Sequence, residues 1–143
     1  ETVDKVMAEA GLSDRVKTHP MNVLSDLPFP KTETKAWWMS QFLDCFSPTQ
    51  IVSILKKAHA AMADDAKLFI LEPFIGRQPF PVADACLAAM SLYFTALANG
   101  TSRFYPYDEF AIYLEAAGFE IERIHDGLGM EHTLLVCRKK DLA

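Results

Sequence analysis

Residues 36–73 hold the pattern that most constrains this chain. An apolar run, Ala36-Trp-Trp-Met39, leads into a polar turn bearing Asp44. A helical stretch follows, and a second apolar run, Leu68-Phe-Ile-Leu71, ends at Glu72-Pro73. Two strand-like runs joined through a helix make a βαβ unit, which demands a layered α/β fold with parallel strands. In such sheets ligands lie outside the carboxyl ends of the strands. Asp44 and Glu72 are therefore expected to face one crevice.

The helix inside this unit has its own signals. Ser47-Pro48 supplies an N-cap and a first-turn proline. Ile51, Ile54, Leu55, Ala58 and Met62 then recur at helical spacing. Lys67 to Glu72 reads as a strand buried on both faces, because its apolar run is continuous rather than alternating. Upstream, residues 3–10 predict a helix stopped at Gly11, and Arg15 to His19 predict a short strand ended by Pro20. The two Trp of the Thr34–Met39 strand suit burial on the sheet, and Met39 and Met90 suit core filling.

Downstream, Val82 to Leu97 predict an apolar helix with so little polar surface that it needs cover from another domain or subunit as well as its own sheet. Tyr107 to Ala117 predict an amphipathic helix stopped at Gly118. Phe119–Ile124 and Thr133–Arg138 predict two antiparallel strands, with Gly127 and Gly129 in the turn between them. The resulting order of elements predicts an α/β domain with a mostly parallel sheet.

Composition removes several classes of function. The net charge is −5, and no basic cluster exceeds Arg138-Lys-Lys140, which argues against a nucleic-acid partner. No uninterrupted apolar run approaches the ~20 residues of a membrane span, and the Glu1-Thr-Val-Asp-Lys5 segment lacks the features of a signal peptide. Cys45, Cys86 and Cys137 are odd in number and far apart, so they offer neither a disulfide framework nor a zinc pattern. His125 and His132, flanking the last turn, read as isolated surface residues with no metal role. A cytoplasmic protein is the expectation.

Four short segments occur in a familiar order: Gly11-Leu-Ser-Asp-Arg-Val16, Asp44-Cys-Phe46, Leu71-Glu-Pro73 and Ala116-Ala-Gly-Phe119. Together they resemble the catalytic domain of the S-adenosylmethionine-dependent O-methyltransferases of the plant and bacterial small-molecule type. That group includes the hydroxyindole, caffeic-acid and polyketide enzymes. The resemblance implies a Rossmann-like class I methyltransferase sheet with an antiparallel last strand. It also implies that the first two strands, the Gly-rich cofactor turn and the N-terminal dimerisation domain lie upstream of Glu1, leaving a partial catalytic domain over residues 1–143 that belongs to a homodimer.

The same resemblance assigns site residues. Met21, Asn22, Met39 and Ser40 stand at cofactor-contacting positions for S-adenosylmethionine; Asn22 replaces an acid near the adenine, and Ser40 replaces a lysine. Asp44 falls where the family has its catalytic histidine, and Glu72 on the glutamate that orients it. Phe46 replaces a Trp, Phe104 replaces a third acid, and Phe42 and Phe46 line the acceptor pocket.

The expected reaction is methyl transfer to an oxygen of a small aromatic acceptor, with Asp44 as base and Glu72 tuning it. Aspartate is ordinarily a weak base, with a pKa of about 3.9, unless desolvation or a neighbouring carboxylate raises it. Two alternatives stand beside this reading. One is a non-catalytic homologue that binds a small molecule or a subunit. The other is an unrelated α/β enzyme using Asp44 and Glu72 as an acid–base pair.

Overall fold

The computed structural model describes residues 2–129 and 131–140. Glu1, the first residue of the segment read for a leader, Met130 and residues 141–143 lie outside that description.

Among the described residues there are four α-helices and four strands. Helix α1 spans Thr2–Glu9 and ends ahead of Gly11, whose φ of +68 a side chain would resist. Strand β1 (Ala36–Ser40) is followed by a single 3-10 turn, Leu43–Cys45, and by α2 (Pro48–Ala61). Ser47 is the N-cap of α2 and Pro48 opens it, as the sequence predicts; Gln50 Oε1 in addition accepts the Ser47 N–H at 2.9 Å. Strand β2 (Lys67–Glu72), helix α3 (Pro81–Phe94), a π-helical turn (Thr95–Asn99), helix α4 (Tyr107–Ala116), strand β3 (Phe119–Leu128) and strand β4 (His132–Lys139) complete the order.

The sheet order is β1-β2-β4-β3. β1 and β2 are parallel, whereas β4 runs antiparallel to both neighbours. The antiparallel last strand is therefore present. Parallel pairing does not dominate, however, because β4 inserts between β2 and β3 and converts both of its ladders.

Helices α2 and α4 supply the core. Ile51, Ile54, Leu55 and Ala58 of α2 are fully buried against Leu68 and Ile70 of β2 and Leu135 and Cys137 of β4. Phe110 and Leu114 of α4 close the other end. The expected apolar face of α2 is thus the face that packs, and burying each such aliphatic side chain is worth about 1.5–3 kcal/mol.

Four expectations need correction. β2 is not buried on both faces: burial alternates along it, because α2 and α4 cover one side and leave Phe69 and Leu71 half-exposed. Trp38 points to that open side, 60% exposed and stacked on Phe69 at 6.0 Å, while Trp37 is half-buried. Arg15–His19 forms no strand, since among the described residues no strand lies beside it to complete a ladder. Finally, Pro81–Asn99 is one 19-residue helical segment that is long and apolar enough, by length and composition alone, to cross a membrane. Counting unbroken apolar letters misses it because Asp84, Ser91 and Thr95 interrupt the run. Val82, Leu92, Tyr93 and Leu97 on it are each more than 60% exposed.

Candidate active site

The site begins where β1 ends. Gln41 turns the chain with φ +45, in the left-handed region, and donates its N–H to the Leu71 carbonyl of β2 at 3.0 Å. The 3-10 turn then carries Asp44 back over the end of β2. Glu72 is the last residue of β2, and the strand's alternation sets it on the buried face with Leu68 and Ile70. It is 2% exposed.

Glu72 fastens the turn. Its Oε1 accepts the N–H groups of Phe42 at 2.8 Å and Leu43 at 3.0 Å, while its Oε2 is buried with no hydrogen-bond partner among the described residues. Burial is the largest influence on this carboxyl and the charge of Asp44 adds to it; the backbone N–H bonds oppose both. The result is a pKa pushed up to about 8. Glu72 therefore carries a proton at neutral pH and holds the turn as a neutral acid.

Asp44 is half-buried. Its carboxyl is also raised, chiefly by burial, against the thiol of Cys45, whose Sγ lies 3.6 Å from Oδ1. Its carbonyl accepts the Arg103 N–H at 2.9 Å, and Asn99 Nδ2 donates to the Cys45 carbonyl at 3.0 Å. The turn is thus tied on one side to β2 and on the other to the segment after α3.

Beside Asp44 opens a cavity of about 700 Å³. Leu87, Met90 and Phe94 on the long helix and Phe104 give it an apolar wall; Gln41, Asp44, Glu131 and His132 give it a polar one. Gln41 Nε2 lies 2.6 Å from His132 Nε2. The rim is braced from the loop after β2. Arg77 pairs with Asp126 of β3, which also accepts the Thr133 hydroxyl at 2.8 Å, and Gln78 Nε2 donates to the Phe74 and Glu131 carbonyls at 2.9 and 3.1 Å. A hollow of similar size, about 720 Å³, lies outside α2 near Phe29, Lys31 and Lys56, away from both acids. An apolar cleft with a few convergent polar groups is the usual form of a small-molecule site, which favours the first cavity.

The residues predicted from sequence divide accordingly. Asp44 and Glu72 come together on one turn. Phe42 and Phe46 do not line the cavity beside Asp44; their rings meet edge to face at 5.0 Å and pack on the core, because the tight turn rotates them inward. Met39 is in the core at 8% exposed, and Ser40 is half-buried at the end of β1. Met21 is exposed on a separate hollow with His19 and Trp37. Asn22 is exposed, and its Oδ1 accepts the Leu24 N–H at 3.0 Å in a local turn. Gln41, Met90 and His132 escaped the sequence reading as cavity residues. Met90 is 46% exposed on the cavity rather than in the core, and His132 is a wall residue rather than an isolated surface histidine.

No protein-family model and no curated protein matches the chain. Solved structures do match. The mitomycin 7-O-methyltransferase superposes with a TM-score of 0.78 at 20% identity, over 94% of this chain and 37% of its own. An O-methyltransferase of neocarzinostatin biosynthesis, in complex with S-adenosylmethionine and 2-hydroxy-5-methyl naphthoic acid, gives 0.76 at 14% identity over 96% of this chain and 37% of its own. The fold is that of the S-adenosylmethionine-dependent methyltransferases. The chain spans under two-fifths of the length of these enzymes. A pericyclic reaction enzyme shares the methyltransferase fold too, with a TM-score of 0.69 at 15% identity over 85% of this chain and 30% of its own, so the fold by itself does not name the reaction.

Proposed function

We infer that this chain is the catalytic part of a methyltransferase that moves a methyl group from S-adenosylmethionine to an oxygen of a small aromatic acceptor. The observation that carries the reading is the Asp44–Glu72 turn: a raised carboxyl beside an apolar cavity, fixed from behind by a buried neutral acid. The methyl donor is already activated as a sulfonium, so alignment of donor and acceptor supplies much of the rate.

Of the residues read as cofactor contacts, Asn22 fits, since one lone pair of Oδ1 and both amide hydrogens remain for an adenine edge. Ser40, a hydroxyl at a strand end, fits as well. Met39, buried in the core, does not. The chain's own work is then on the acceptor. The cavity excludes water around an aromatic ring, and Asp44 takes the hydroxyl proton onto a carboxylate oxygen. Glu72 is a positioning residue: it holds the Phe42 and Leu43 amides, and through them the angle at which Asp44 meets the cavity. The intact protein is read as a cytoplasmic homodimer.

The test is a calorimetric titration of S-adenosylhomocysteine into the intact protein, followed by turnover of an Asp44→Asn variant across pH. Micromolar cofactor binding is expected, with an alkaline-rising rate limb that the variant lacks. No heat and no shift in melting temperature would remove methyl transfer. They would favour the non-catalytic homologue, for which an aspartate at position 44, where the resembled family has a histidine, is the specific support.

A further inference from the structure

Five consecutive residues, Phe42 to Phe46, carry the acid of the cavity, and their backbone is held at both ends. Glu72 takes the N–H groups of Phe42 and Leu43. The last three carbonyls are taken by one short segment. Asp44 O accepts the Arg103 N–H at 2.9 Å, Cys45 O accepts Asn99 Nδ2 at 3.0 Å, and Phe46 O accepts the Tyr105 hydroxyl at 2.6 Å. The Thr101 hydroxyl also reaches the Cys45 carbonyl, at 3.2 Å.

Asn99 organises that segment. It ends the π-helical turn Thr95–Asn99, and Gly100 at φ +78 redirects the chain after it. Its Oδ1 accepts the Thr101 and Ser102 N–H groups at 3.0 and 2.8 Å, and the next N–H, that of Arg103, is the one that meets Asp44. Two backbone donors on one side-chain oxygen also fix which way the amide faces, because the flipped amide would set donors against donors. Nδ2 is then the group left to donate to Cys45. An asparagine that bonds the amides following it is an ordinary turn device. A reach of 54 residues back, to a carbonyl of the acid-bearing turn, is not explained by that device.

The same helical segment builds the cavity. Leu87, Met90 and Phe94 lie on Pro81–Asn99 and wall the space beside Asp44, while Asn99 stands outside that lining. We propose that Asn99 is a positioning residue for Asp44, fixing the acid, through the Cys45 carbonyl and the Arg103 amide, to the helical segment that forms the apolar wall. Acid and wall then make one body, and an acceptor seated against Leu87, Met90 and Phe94 meets the carboxylate at a set distance. This rests on reading Asp44 as the group that meets the acceptor, and it adds a residue to that machinery.

Cys45 supplies a reporter that needs no acceptor. Its Sγ lies 3.6 Å from Asp44 Oδ1, and burial first, then the Asp44 charge, hold the thiol above its usual range. The thiolate is the nucleophile, so the alkylation rate follows that placement. The intact protein is treated with iodoacetamide at neutral pH and each cysteine is read by peptide mass spectrometry. Exposed Cys86 is the reference, and buried Cys137 reports unfolding.

Asn99→Ser keeps an oxygen for the Thr101 and Ser102 amides but is too short to reach the Cys45 carbonyl. It is expected to speed Cys45 labelling relative to Cys86 by about threefold or more, the lower part of one hydrogen bond's worth, since the Thr101 hydroxyl remains. Thr95→Val removes a bond inside the same segment, from Thr95 Oγ1 to the Ser102 carbonyl, and is expected to change the ratio by less than about twofold. In an Asp44→Asn background Asn99→Ser is expected to speed labelling by a smaller factor, because both substitutions act on one contact.

An unchanged Cys45 rate in Asn99→Ser, an equal rise in Thr95→Val, or the same factor with and without the Asp44 carboxyl each overturns the proposal. So does labelling of Cys137 in Asn99→Ser, which would mean that Asn99 holds the fold rather than the acid. S-adenosylhomocysteine binding is titrated separately: its absence removes the methyltransferase reading, and the labelling rates judge the Asn99 link in either case.

Discussion

Replacing Glu72 by glutamine isolates the effect of a buried, protonated acid. In the native protein this carboxyl is pushed from 4.5 to about 8. Between those pH values the folded state binds a proton that the unfolded chain has released, so stability falls as pH rises, and it levels off above the folded value. At about 1.4 kcal/mol per pH unit the loss is of the order of 3–5 kcal/mol across that window. Glu72→Gln keeps the shape and the acceptor for the Phe42 and Leu43 amides, but it does not titrate. Its Nε2 replaces an oxygen that already lacks a partner, so wild type and variant should agree within about 1 kcal/mol near pH 5. Near pH 9 the variant should be more stable by roughly 3 kcal/mol. The assay is native-state hydrogen exchange of the β2–β4 ladder amides in the intact protein, with denaturant unfolding alongside. If the two stability curves run parallel from about pH 5 to about pH 9, Glu72 is ionised in the native state and the neutral-acid reading of the turn fails.

Other expectations concern packing and the cavity rim. Leu55→Ala should cost about 2–5 kcal/mol, because Leu55 is fully buried between α2 and the sheet; a cost under about 1 kcal/mol in a urea titration would mean the core collapses around the void. Gly118→Ala should destabilise by more than about 1 kcal/mol, as φ is +88 and the new methyl would meet His59 Nε2 at 3.0 Å; an unchanged melting temperature refutes this. Arg77→Ala should raise the KM for an acceptor more than it lowers kcat, since Arg77 braces the rim through Asp126 without lining the cavity; an effect confined to kcat would assign it another role. Leu92→Gln should shift stability by no more than about 0.5 kcal/mol, the side chain being 74% exposed; a larger loss in the intact protein would mean that something covers this face there.

The parts of the fold that could be read from the sequence are those with local punctuation. β2 begins at Lys67 and ends at Glu72 as expected, because a charge closes each end of its apolar run. α2 starts at Pro48 for the reasons its Ser-Pro entry declares. Arg15–His19 misled because one valine between basic residues mimics alternation, while a strand is made by its neighbours. The single-sided burial of β2 was hidden for a related reason, since Phe69 and Leu71 are as apolar as Leu68 and Ile70 and only the side chosen by the helices separates them. At the site, Asp44 and Glu72 were legible because both end apolar runs of one βαβ unit. Gln41 carries no glycine-like signal for its positive φ, and its contact with His132 crosses most of the chain, so no spacing rule reaches it.

The insertion of β4 between β2 and β3 bears on how the protein acquires its shape. β3 touches the rest of the sheet only through β4, and β2 meets β4 across pairings such as Lys67 with Arg138. Until β4 is in position, β1 and β2 form a two-stranded ladder that β3 does not join, and the wall that carries His132 does not exist. Long-range closure of this kind is slow relative to helix formation. Closing the ladders of β4 and completing the His132 wall of the cavity are therefore one event.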